Sequence, residues 1–123
     1  MGVTISFPTT TIEVFGTRSS VRIEAVIDTG FQGDLCLPAV VAESLGLVLN
    51  EMTIITLANG EESLSFGFAG EVELLGRRRP ASIFVFHRDR ALIGTELLAD
   101  CQMVIDFPNK KVNLFRTEQT KTK

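Results

Sequence analysis

Apolar and polar positions alternate along this chain in short runs, and turn residues separate the runs at close intervals. That period-two pattern with frequent punctuation predicts a mostly β protein. Residues 11–15 and 21–27 read as strands; in the second, Val21, Ile23 and Ala25 alternate with Arg22 and Glu24 before a fully apolar end. Residues 28–33 form a loop with two glycines, and 35–37 a brief strand. Residues 38–45 predict a short helix: Pro38 suits its first turn, Gly46 suits its end, and Leu37, Val40, Val41 and Leu45 make one apolar stripe. Residues 52–58 and 61–66 predict a hairpin about Asn59-Gly60, which both tolerate the positive φ of a type I′ turn. Residues 71–75 and 81–86 predict another, about residues 76–80. Ala91-Leu92-Ile93-Gly94 is apolar, Thr95 suits the start of a short helix through Ala99, and 103–107 with 112–115 predict a last hairpin. The tail from 117 is polar.

Composition narrows the function. At 123 residues, with 45% hydrophobic and 22% charged, the chain predicts a single domain with its core over about residues 10–115. A net charge of −3 and the absence of Trp and Tyr argue against a nucleic-acid binder, which needs a basic face and stacking rings. Arg77-Arg78-Arg79, beside Gly76 and Pro80, reads as a solvated turn. No apolar run is long enough to span a bilayer, and the first ten residues lack the features of a signal peptide, so a cytoplasmic protein without membrane contact is expected. Cys36 and Cys101 form no CxxC pair and are expected to be reduced and buried. His87 is the one histidine, which rules out a His-rich metal site and disfavours Ser-His or Cys-His chemistry; neither metal nor cofactor is expected. Mean hydropathy is +0.25, which fits either an aliphatic β core or apolar surface covered by a partner.

The candidate chemistry lies at Asp28-Thr29-Gly30, a carboxylate at the end of an apolar strand. The strand holds the Asp, and the Gly permits a tight turn and leaves room beside the carboxylate. Alone, the tripeptide reads as a turn in which Asp accepts backbone N–H groups. Its surroundings change that reading. Leu57-Ala58-Asn59-Gly60 lies about thirty residues downstream, and Leu92-Ile93-Gly94-Thr95-Glu96-Leu97-Leu98 about sixty-five downstream. Ala25-Val26-Ile27-Asp28-Thr29-Gly30 and Ala91-Leu92-Ile93-Gly94-Thr95 also echo each other, both running from apolar residues into glycine. This order resembles the retropepsin-like aspartic peptidases, and Phe31 after the Asp-Thr-Gly resembles a prokaryotic subgroup of them.

The resemblance implies a closed β barrel with one or two short helices and a flap hairpin, active as a two-fold homodimer. It implies that Asp28, with Thr29 and Gly30, forms the catalytic loop of an endopeptidase. Phe31, Leu57, Ala58, Asn59, Gly60 and Ile93 would line the peptide site. Two Asp28 carboxylates, one from each copy, would share one proton and one water. Thr29 would lock the two loops together, and residues 112–115 would join a sheet shared between the copies. The chain departs from the pattern twice. Phe31 stands where the retroviral enzymes have a small residue, and packing beneath the loop is the favoured role for it. The flap tip, with Glu61 and Glu62, is polar and acidic rather than Gly-rich and apolar. A dimer of this fold that binds peptides without cutting them is the competing expectation.

Overall fold

The computed structural model describes residues 8–56 and 58–117. Its elements are β1 (Thr9–Phe15), β2 (Ser20–Ile27), β3 (Leu35–Pro38), α1 (Ala39–Ala42), β4 (Val48–Thr56), β5 (Glu62–Leu74), β6 (Arg77–Phe86), β7 (Ala91–Ile93), β8 (Cys101–Asp106) and β9 (Lys111–Arg116). Strands pair in the order β1-β2-β7-β3-β6-β5, and β5 returns to β1, so six strands close a barrel. Closure removes sheet edges that would otherwise be open. β4 lies outside the ring, paired only with β5, and the β4–β5 hairpin is the flap. β8 and β9 form a separate two-stranded sheet.

Alternation explains the barrel. On β1, Ile12 and Val14 point inward beside Ala25 of β2, Leu35 and Leu37 of β3, Val72 and Leu74 of β5, Ile83 of β6 and Ile93 of β7, all buried. The internal echo becomes a contact: β2 and β7 run parallel in register, pairing Ala25 with Ala91, Val26 with Leu92 and Ile27 with Ile93.

Several expected details differ. Residues 95–100 form successive turns rather than a helix, and α1 has only four residues. Val40 is 76% exposed, so the expected apolar stripe of residues 37–45 does not exist as one face. The two separate strands expected at 61–66 and 71–75 are one thirteen-residue strand, β5. Its barrel half is held by β6 and β1, and its flap half pairs with β4 alone.

The type I′ geometry falls at Leu75-Gly76, where φ is +54° and +78°, not at Asn59-Gly60. Gly60 is at +87°, but Asn59 is not among the described residues with positive φ. Instead, Asn59 Oδ1 accepts the Glu61 N–H at 2.9 Å, so the flap tip is an Asx turn within a longer loop. A left-handed leucine is costly, and Leu75 is also exposed. Leu75→Asn is therefore expected to stabilise the protein by roughly 0.5–1 kcal/mol, read as a higher denaturant midpoint at unchanged m.

The arginine run is not a solvated turn. Arg77 bonds Asp100 Oδ2 at 3.2 Å. Arg78 bonds Glu71 at 2.6 Å and lies 3.6 Å over the Phe15 ring, and Arg79 donates to the Leu97 carbonyl at 2.6 Å. Arg116 of β9 also reaches Asp100 Oδ2 at 2.8 Å and the Leu74 carbonyl at 2.6 Å. Asp100 thus ties the β8–β9 sheet to the barrel. Its partial burial raises its pKa, but the Arg116 hydrogen bond and the surrounding guanidinium charge outweigh that and hold it below 3.8. A depressed carboxylate stabilises the fold above its unfolded pKa and loses that effect as pH falls through the folded value. The melting temperature of Asp100→Asn should accordingly lie below wild type at pH 7 and converge with it as pH drops below about 4.

Candidate active site

β2 delivers Asp28 to the mouth of the barrel, and hydrogen bonds fix it there. Its N–H donates to the Ile93 carbonyl at 2.9 Å, and its own carbonyl accepts the Phe31 N–H at 3.1 Å. Its Oδ1 accepts the Gly30 N–H at 2.9 Å, which holds the carboxylate over its own loop. Asp28 is half-buried, while Thr29 and Gly30 are exposed. Among the described residues the Thr29 hydroxyl has no hydrogen-bond partner.

The rest of the loop is stitched to the segment that follows β7. Phe31 O accepts from Thr95 N at 2.8 Å, Gly33 O from Glu96 N at 3.2 Å, and Asp34 O from Gly94 N at 3.0 Å. Gly94 is required by space: an added Cβ would lie 2.2 Å from Gly33 O and 2.6 Å from Phe31 O. Asp34 fastens the far end, its Oδ2 accepting the Ser82 N–H at 2.9 Å. Sequence reasoning passed over Asp34 because it carries no Thr-Gly. Its signal was its place immediately before the apolar run of β3, where a short acceptor can bridge to a neighbouring strand.

Two of the residues expected to touch peptide are buried, although Phe31 also borders the recess beneath β4. Ile93 is fully buried and contributes its carbonyl to Asp28. Phe31 is 1% exposed, packed with Cys36, Phe84 and Leu92, so its ring is a floor under the loop. Pairing of β2 with β7 turns Ile93 into the barrel core, while Phe31, in the loop after β2, packs in a separate apolar cluster. Cys36 lies in the same cluster. Burial pushes its thiol up to about 12, the Asp28 charge adds to the rise, and Arg88 opposes it, so it stays a thiol. Cys36 and Cys101 are both free, Cys101 only half-buried.

The flap comes down onto the loop. A Cβ on Gly30 would be 2.7 Å from Ala58 Cβ and 3.3 Å from Asp28 Oδ1. Asn59 and Gly60 follow at the exposed tip, and Leu57 lies outside the described residues. On the flap, Thr53 faces Ser65 on the buried side, while the pairs Met52/Phe66 and Ile54/Leu64 are exposed. Beneath β4 lies a recess of about 300 Å³ lined by Gln32, Asp34, Glu51, Thr53, Ser82 and Glu96 among others. A wider cavity of about 820 Å³ borders Val26, Leu92 and the charged 87–90 loop. Among the described residues, no group of His, Cys, Asp and Glu is placed to hold a metal, and no helix is long and apolar enough to cross a membrane.

This arrangement has solved counterparts. The EIAV protease in complex with the inhibitor HBY-793 superposes with a TM-score of 0.57 at 17% identity, over 80% of this chain and 93% of that one. The chain has a retropepsin-like fold. A foamy viral protease-reverse transcriptase in complex with an RNA/DNA hybrid matches at a TM-score of 0.46 and 18% identity, over 93% of this chain and 13% of that one. Neither a known family profile nor a curated protein sequence matches the chain. Within the retropepsin-like fold, the six-stranded barrel, the flap and a single Asp-Thr-Gly loop are the parts on which a functional reading rests.

Proposed function

We propose that this chain is one half of an aspartic endopeptidase of the prokaryotic subgroup with Phe after Asp-Thr-Gly, acting in the cytoplasm on peptides or unfolded protein. The observation that carries the reading is the Asp28 carboxylate at the barrel mouth, oriented by Gly30 N–H beneath a flap. One protomer supplies a single carboxylate of this kind, and peptide hydrolysis by this chemistry needs two: a base for the water and an acid for the carbonyl oxygen. An isologous dimer brings Asp28 to its copy on the axis, with the exposed Thr29 beside it. When two carboxylates share a site, one pKa rises, and the pair holds one proton between them. No covalent intermediate, metal or cofactor is required. The β8–β9 sheet, with residues 112–115 of β9, is the surface offered to the second copy.

The fold is also compatible with a dimer that binds peptides without cutting them, and the polar flap tip, with Asn59, Glu61 and Glu62 exposed, favours that second reading because such a tip excludes water poorly. Concentration separates these readings from a monomeric module. Cleavage of an unfolded protein per mole of chain should rise steeply as dimer forms, with sedimentation velocity reporting the dimer in parallel. A monomer at high micromolar concentration, or a dimer that leaves the substrate intact, would overturn the peptidase.

A further inference from the structure

The β4–β5 hairpin carries a ladder of large apolar side chains on one side. Directly paired residues of neighbouring strands project to the same side, so the pairs Leu49/Phe68, Met52/Phe66 and Ile54/Leu64 form three rungs of one face. Plain alternation would put Leu49 with Glu51, but the register shift between those two residues returns it to the side of Met52. Leu49, Met52, Ile54 and Leu64 are 60–63% exposed, and Phe66 is 48% exposed. Glu51 and Thr53 take the other side and line the recess beside Gln32 and Asp34. At the root of the hairpin, Phe68 borders a cleft of about 330 Å³ together with Leu47, Val85 and α1. A contiguous exposed apolar face of this kind marks an interaction surface.

Charge says what covers it. No Lys, Arg or His occurs between Arg22 and Arg77, a stretch that contains the whole hairpin. By alternation Glu62 continues the apolar face from Leu64 to the tip, and Glu43 stands with Arg18 at the root cleft. Among the described residues neither carboxylate has an ion-pair partner. His87 and Arg88 approach the hairpin only across a cavity at the end of β6. We propose that this face docks the apolar stripe of a cationic amphipathic helix from a partner protein. The three rungs extend about 17 Å along the strands, the length of roughly three helical turns. Lys or Arg residues flanking the stripe then meet Glu62 at one end and Glu43 at the other. An anionic lipid surface matches the apolar face but is repelled by these acids. A second copy presenting the same face brings the same acids and no base to meet them. This surface is independent of the peptidase reading.

Fluorescence anisotropy of a fluorescein-labelled Leu/Lys peptide of about twelve residues, patterned to be apolar along one helical side, measures docking directly. The Asp28→Asn protein is used, so that cleavage cannot intervene. Micromolar binding is expected, and binding at least tenfold weaker when Glu replaces Lys in the peptide. Met52→Thr with Leu64→Thr keeps β-forming residues at two exposed positions, so the protein should melt as before and bind the Leu/Lys peptide at least tenfold more weakly. Glu43→Gln with Glu62→Gln should weaken binding severalfold and flatten its salt dependence, which keeps the test decisive if the threonine variant fails to fold. Absent binding, equal binding of the Leu/Glu peptide, or undiminished binding by both double variants would overturn the proposal. So would flotation of the protein with phosphatidylglycerol vesicles, or a self-association in sedimentation that the threonine variant abolishes, since either result assigns the face to a different occupant.

Discussion

Asp28→Asn is expected to abolish cleavage, lowering the rate by roughly a thousandfold or more while leaving the fold and the dimer intact. The amide is nearly isosteric, and its oxygen can still accept the Gly30 N–H that orients Asp28 Oδ1. What it loses is the ability to take a proton from water or to share one with its twin. A mixing experiment makes the result specific to a dyad. If each working site needs two intact carboxylates, equal amounts of wild type and variant, allowed to exchange subunits, should retain about one quarter of the activity. If each protomer works alone, about one half remains. The second outcome, or undiminished cleavage by the pure variant, would sink the shared site.

Gly94→Ala is expected to be among the most damaging conservative changes to the fold. The new Cβ would stand 2.2 Å from Gly33 O and 2.6 Å from both Phe31 O and Phe31 Cδ2. Two of those atoms are backbone oxygens already used by the hydrogen bonds that stitch residues 95 and 96 to the Asp28 loop. Relief therefore means moving the loop itself, which also carries Asp28. A cost of about 3 kcal/mol follows from overpacking at a site that cannot relax, seen as a fall in melting temperature of roughly 10 °C. Gly60→Ala is the informative contrast. It has open space but a φ of +87°, so its cost should be confined to backbone strain of about 1 kcal/mol.

Local signals read well where one residue decides its own conformation. Alternation on β2 placed the inward-facing Val21, Ile23 and Ala25 correctly, and the apolar entries to Asp28 and Gly94 marked two strands that pair side by side. The last hairpin was legible from Pro108-Asn109-Lys110, and β8 and β9 flank it. The misreadings share another cause. Arg77-Arg78-Arg79 looked like solvent-facing charge because its partners, Asp100, Glu71, Phe15 and Leu97, are remote in sequence or on other strands. Asn59-Gly60 carried the stronger hairpin signal, but the tight turn fell at Leu75-Gly76, where pairing of β5 with β6 closes through Leu74 and Arg77.

The sequence by itself determined a β protein, the strand that presents Asp28, and the presence of one such carboxylate per chain. Those follow from residue identity and side-chain period, which act over a few residues. Only the tertiary structure decided that Phe31 and Ile93 are floor rather than wall, that Asp34 and Gly94 hold the loop, and that Ala58 rests on Gly30. Each of these depends on which strands become neighbours when the barrel closes, a long-range packing choice that no local pattern encodes.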